Sequence, residues 1–218
     1  STAPKVLIID VNDEGTDSVR NDWDPQVYRV KYWQEINDIY WYLESGDHEF
    51  ETVVIDGVTS LQMICMKWVL GDEASRDASR DPDMTSRQTW GKVAELMKTQ
   101  IINYRNLPMH VIFTALVRAK AVGDEEGDEA LEIYRAPQVS PSIADTLEAA
   151  VGLIGYIDTV NVVTRRADTK KKVRVARTRL WIGPRDGYLT KDRYGLMVPY
   201  IESPNITTML EQIYGGKK

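Results

Sequence analysis

Three apolar runs limit what this chain can fold into more than any other feature. They are "KVLIID" at 5–10, "TVVID" at 52–56 and "MHVIFTALV" at 109–117. A strand apolar at every position needs cover on both faces, which is the situation of parallel strands packed between helices. The segments between them supply such helices. "WQEINDIYWYLES" (33–45) puts Ile36, Ile39, Tyr40 and Leu43 on one face, and Gly46 stops it. "VTSLQMICMKWVLG" (58–71) predicts a helix ended by Gly71, and "TWGKVAELMKTQIINYRN" (89–106) one with a stripe of Val93, Leu96, Met97 and Ile101. "YRVKYW" (28–33) predicts a short strand, and "SPSIADTLEAAVGLIGY" (140–156) a helix started by proline. Thereafter the period drops from 3.6 to 2. "DTVNVVTRR" and "KKVRVARTRLWIG" predict an antiparallel hairpin joined by "ADTKK", followed by an extended tail and a short helix, "NITTMLEQIYG". The polar stretch 72–86 is expected to be a mobile loop, and the acidic stretch 123–132 a disordered segment or hairpin tip. With no internal repeat and no linker, the expected architecture is one α/β domain over 1–218. Its central sheet is mainly parallel and flanked by helices, and an antiparallel hairpin lies toward the C-terminus.

Composition removes several function classes. A net charge of -6 argues against a generically basic nucleic-acid binder while leaving room for a local basic patch. One cysteine, Cys65, rules out an intramolecular disulfide and fits a reducing, cytoplasmic setting; its apolar surroundings predict a buried structural thiol. Two histidines, His48 and His110, make a histidine metal site a poor expectation. No apolar run is long enough to span a bilayer, so no membrane role is expected. A buried strand within the first ten residues predicts that further elements precede it. The tryptophans and tyrosines, such as Trp33, Tyr40 and Trp41 on the first helix, are expected to pack rather than to stack on bases.

In parallel sheets ligands bind outside the carboxyl ends of the strands. The residues expected there are Asp10, with Asn12, Asp13 and Glu14 after it, then Asp56, then Thr114 to Arg118. Two acidic clusters and a hydroxyl at one rim suit a nucleotide: one carboxylate supports Mg²⁺, another orients the attacking water, and a polar group on the third strand senses the γ-phosphate. For Asp56 alone, capping of the next helix explains the residue as well as a metal does. The chain contains no G-x-x-x-x-G-K-[ST] phosphate cradle. An ATP-binding reading therefore expects that motif upstream of Ser1.

The order of motifs resembles the RecA-like P-loop ATPase core, and within it the phage-encoded recombinases of the single-strand-annealing type. The stretches that carry the resemblance are "IIDVNDEGT", "FETVVIDGVTS", "HVIFTALVRA" and "TKDRYGLMVPYI", spread over nearly the whole chain. The resemblance implies ATP and Mg²⁺ as cofactors, with Asp56 as the metal-supporting aspartate. It implies Glu14 as the water-activating acid, Asp13 as its alternate because two extra residues loosen the first motif, and Asp10 beside them. Thr114 stands where the third-strand sensor would be, although Ala115 and Leu116 lack the amide that bacterial recombinases use. Lys191 and Arg193 match a basic pair presented to the nucleotide of a neighbouring subunit, so self-association as a ring or filament is implied. An exposed basic turn is the alternative explanation of that pair.

The same resemblance implies contact with single-stranded DNA through two loops. The first would carry Arg76, Arg80 and Arg87, the second Arg118, Lys120 and Arg135. The hairpin offers a second basic patch of Arg165, Arg166, Lys170, Lys171, Lys172, Arg174, Arg177 and Arg179, for which a solvated strand edge is the default reading and a DNA or subunit contact the sharper one. The activity implied is DNA recombination or annealing in a bacterial host cell. The rivals are a catalytically degenerate assembly module and a packaging or helicase-type motor.

Overall fold

A computed structural model describes residues 2–11, 25–77, 79, 81, 83–122, 132–165 and 172–215. They gather into two compact units. One is formed by the described residues of Ala3–Arg118 and Pro137–Val151, the other chiefly by those of Ala119–Ala136 and Gly152–Lys218.

The first unit is built on a four-stranded sheet. Its strands are β1 (Val6–Val11), β2 (Gln26–Val30), β3 (Thr52–Asp56) and β4 (His110–Phe113), in the order β2-β1-β3-β4, and every pairing is parallel. The fold is therefore the expected one: α/β, with a parallel sheet flanked by helices in the manner of RecA-like P-loop proteins. Helix α1 (Trp33–Ser45) buries Trp33, Ile36, Ile39 and Leu43 and ends at Gly46, whose φ of 75° only a glycine adopts without cost. Helix α3 (Arg87–Arg105) begins at Ser86, whose side chain accepts from the Thr89 N–H at 3.1 Å. Its Tyr104, wholly buried, donates to the Ile36 carbonyl at 2.7 Å, and burial pushes that phenol's pKa up. The core collects Ile9, Val53 and Ile55 from the sheet with Met97, Ile101 and Ile143 from the helices.

The second helix corrects the expectation at Gly71. Helix α2 runs over Val58–Arg76, straight through the glycine. A glycine inside a helix costs only about 1 kcal/mol relative to alanine, and contacts at the far end offset it. Glu73, 4% exposed, accepts from the Thr89 hydroxyl at 2.9 Å and pairs with Lys92 at 2.8 Å. These bonds fasten the last turn of α2 to α3, so the connecting loop starts at 77 rather than 72. The strand expected over 109–117 also divides. β4 stops at Phe113, residues 114–116 leave the ladder, and β5 (Val117–Val122) begins afresh, paired with β6 (Glu132–Pro137). Helix α4 (Pro141–Ala150) starts at its proline as expected but ends six residues early, because residues after Gly152 enter a short strand, β7 (Leu153–Ile154).

In the second unit the predicted hairpin is present. β8 (Tyr156–Arg165) pairs antiparallel with β9 (Lys172–Trp181), with Arg165 opposite Lys172 and Tyr156 opposite Trp181. β10 (Lys191–Asp192) pairs with β7. β11 (Tyr200–Glu202) lies along the outer side of β9, giving the order β11-β9-β8. The extended tail thus contributes a third strand, which makes β9 central over Arg179–Trp181 and leaves the rest of it paired with β8 alone among the described residues. Helix α5 (Ile206–Tyr214) closes the described chain with Asn205 accepting from the Thr208 N–H. Among the described residues no helix is long and apolar enough to cross a membrane.

Candidate functional site

Parallel register sets the geometry at the sheet rim. Asp10, the last residue but one of β1, lies opposite Asp56 at the end of β3, and such neighbours sit about 4.8 Å apart with side chains on the same face. Asp10 is 1% exposed and Asp56 half-buried. Ile55 is level with Phe113 on β4, so Thr114 arrives beside Asp56. Its hydroxyl donates to Asp56 Oδ1 at 2.5 Å, while its N–H donates to the Ile55 carbonyl at 3.1 Å. Three successive strands therefore deliver two carboxylates and a hydroxyl to one place, as the apolar runs foretell.

The turn after Asp56 is fastened to the same segment. The Val58 N–H, first of α2, donates to the Thr114 carbonyl at 2.8 Å, and the Leu116 N–H donates to the Thr59 hydroxyl at 3.1 Å. Gly57 lies between. A Cβ there would stand 3.2 Å from the Thr114 Oγ1, an approach tight enough that a side chain would press on Thr114. The Asp56–Gly57 peptide is cis. These contacts answer the question of capping. Gly57 is the N-cap of α2, no side chain caps that helix, and the Asp56 carboxylate is held by Thr114 instead. Asp56 still lies beside the positive end of the helix dipole, a favourable place for a carboxylate.

A magnesium ion needs no more protein ligands than this rim offers, since it is ordinarily held by one or two carboxylates together with waters and phosphate oxygens. Asp10 and Asp56 fit that requirement. No group of three His, Cys, Asp or Glu suited to a metal occurs among the described residues. Asp13 and Glu14 lie outside the described residues.

Lys191 and Arg193 flank Asp192 in the second unit. Lys191 is half-buried and pairs through its backbone with Ile154, whereas Arg193 is exposed and donates its N–H to the Gly152 carbonyl at 2.9 Å. Asp192 organises the turn between and after them. Its carboxylate accepts from the N–H groups of Tyr194 and Gly195, each at 3.0 Å, and of Met197 at 3.3 Å. An aspartate three residues before a glycine is a turn signal in its own right, and it is the one sequence cue that finds Asp192.

The residues expected on DNA-binding loops are distributed differently. Arg76 is in the last turn of α2 and pairs with Asp72 at 3.0 Å. Arg87 opens α3 and is exposed; Arg80 lies outside the described residues. Arg118, Lys120 and Arg135 belong to strands β5 and β6 rather than to a loop. Arg135 is bridged through its backbone to Gly187 and Leu189, with its guanidinium 4.7 Å from the Tyr188 ring centroid. Nearby in sequence, Arg185 packs 4.1 Å from both Trp181 and Tyr188 and pairs with Asp158 at 3.2 Å. Sequence periodicity gave no sign of that cluster, because Arg185 and Tyr188 fall outside any regular element.

No curated protein and no solved structure matches this chain. The AAA domain family matches it over residues 1–194, a span that holds Asp10, Asp56, Thr114, Lys191 and Arg193. With that match and the parallel α/β rim, the chain belongs to the AAA domain family and has the core of a nucleotide-binding ATPase.

Proposed function

We propose that this chain binds ATP with Mg²⁺ at the Asp10–Asp56–Thr114 rim and uses the bound nucleotide in acting on single-stranded DNA, in recombination or annealing. The observation that carries the nucleotide half is the side-by-side pair of strand-end carboxylates, one of them held by the hydroxyl of the third strand. Asp56 holds the cation, oriented by the Thr114 hydroxyl; Asp10 adds negative charge from β1. The bound ion would place positive charge beside the phosphate oxygens. Glu14 or Asp13, which follow β1 in sequence, orient the attacking water. Lys191 and Arg193 neutralise charge on the nucleotide of a neighbouring protomer, as a cation supplied in trans does, and nucleotide then links protomers into a ring or filament. The DNA half is supported by the likeness of the motifs to single-strand-annealing recombinases.

The test is nucleotide binding and turnover by the full-length protein, with and without single-stranded DNA. Asp56→Asn is expected to keep the fold by circular dichroism and to lose magnesium-dependent binding of a fluorescent ATP analogue. Turnover should fall about a hundredfold, the scale seen when one preorganised electrostatic group is removed. Wild-type turnover in that variant overturns the assignment of the rim. Turnover that single-stranded DNA leaves unchanged overturns the DNA half alone.

A further inference from the structure

β8 and β9 pair over ten registers, whereas β11 covers β9 only from Arg179 to Trp181. Among the described residues the seven registers from Thr159–Thr178 to Arg165–Lys172 form a two-stranded ribbon with no third strand. Register partners share a face, so the ribbon has two distinct sides. On one, Glu202 pairs with both Arg177 and Arg179, and Asp158 pairs with Arg185. Cations on that side are matched by carboxylates.

The other side is charged differently. It presents Arg165 opposite Lys172 and Val163 opposite Arg174, then Asn161 and Thr178 farther along, all of them exposed. No acidic residue occurs on this side of either strand, and none of the three cations pairs with a carboxylate among the described residues. In a protein of net charge -6 this is a segregated cationic surface. Its apolar element, Val163, is 57% exposed between the cations.

We propose that this side of the β8–β9 ribbon is a docking surface for single-stranded DNA, with Arg165, Lys172 and Arg174 on the phosphates and Val163 offering apolar contact to a base. The inference rests on the DNA reading above and moves the contact from the predicted loops to the ribbon. Charge complementarity selects a polyanion. The layout selects a single strand. Neighbouring strands are about 4.8 Å apart and alternate residues about 7 Å apart, so the three cations form a patch too small to straddle a major groove about 12 Å wide. One flexible strand crossing the ribbon can reach all three. Contacts of this kind read backbone rather than sequence.

The experiment is fluorescence anisotropy of a labelled oligothymidylate with the full-length protein across a salt series. The controls are a duplex of the same length and anionic phospholipid vesicles. The variant R165A/K172A/R174A is expected to bind at least about tenfold more weakly and to lower the salt slope by about two, the value for three single-strand phosphate contacts. R165K/R174K should bind as the wild type does, and R76A/R87A should stay within about twofold. Thermal melting checks that the ribbon variant is folded; a misfolded triple variant is replaced by R174A alone, for which about a threefold loss is expected. Binding by the wild type with no loss in the ribbon variant overturns this proposal and leaves the DNA reading standing. No binding of oligothymidylate by the wild type overturns that reading and this proposal with it. Stronger binding to the duplex or to vesicles overturns the commitment to a single strand.

Discussion

Val53 on β3 is wholly buried, whereas Val163 on β8 is more than half exposed. The residue type is the same and each lies within a regular strand. The difference is cover. In the parallel sheet β3 is reached through α1, and β4 through α2 and α3, so helices pack on the faces and valine completes a core. In the antiparallel ribbon β9 pairs directly with β8, and past β11 the described strands hold one another alone. The first arrangement builds a rigid rim on which carboxylates can be positioned; the second builds a surface that meets other molecules. A two-stranded ribbon has little stability of its own, so its charges are free to serve contacts instead of packing.

Substitutions can break or sharpen this contrast. The largest effect is expected at Ile55, which is 1% exposed in the middle of the parallel sheet. Ile55→Ala should cost about 2–5 kcal/mol by denaturant unfolding, whereas Val163→Ala should stay within about 0.5 kcal/mol. Equal costs would show that the ribbon is packed after all. Next comes Glu73→Ala, which removes the carboxylate that the Thr89 hydroxyl and Lys92 share and should cost about 1–3 kcal/mol. Glu73→Gln, which can still accept from Thr89, should recover part of that loss. Gly71 works in the opposite direction. Nothing lies within 4 Å of where its Cβ would stand, so Gly71→Ala should stabilise the fold by about 0.5–1 kcal/mol, read as a higher melting temperature.

The two regions should also respond to opposite ends of the pH scale. Hydrogen bonds from Arg177, then its charge and those from Arg179, hold the Glu202 carboxyl below the usual carboxylate range. A depressed carboxylate stabilises the fold above its unfolded pKa and loses that contribution as pH falls through the folded value. Acid below the usual carboxylate range should therefore loosen the β9–β11 edge, read as faster amide exchange at Tyr200–Glu202 while β3 stays protected. In the parallel unit, burial pushes the Cys65 thiol up to about 12. That contribution is whole below the ordinary thiol pKa of about 8.5 and is lost as pH rises toward 12. Alkylation of Cys65 should accordingly be undetectable in the folded protein at neutral pH.

What the sequence disclosed follows the same division. β1, β3 and β4 are legible because burial on both faces writes an uninterrupted apolar run, and a run has an end. The meeting of Asp10 with Asp56 is legible for that reason: each stands last in its run, and parallel pairing aligns the ends. Features set by contacts distant in sequence were not legible. Gly71 reads as a stop because local preference says so, while Glu73 reaching Thr89 overrides it. The strand through 109–117 reads as continuous because its residues are apolar, while the bonds of Thr114 to Ile55 and Asp56 end it at Phe113. Arg135 reads as a loop cation because nothing nearby in sequence announces Tyr188 beneath it. The hairpin could be read in advance, but the charge division between its sides required β11 and Glu202, which arrive more than twenty residues later.

Helix α2 is tethered at both ends, by the Thr114 carbonyl at Val58 and by Thr89 and Lys92 at Glu73. Nineteen residues at 1.5 Å each make a strut about 28 Å long. Fixed at each end, the strut sets the spacing between the rim and the start of α3.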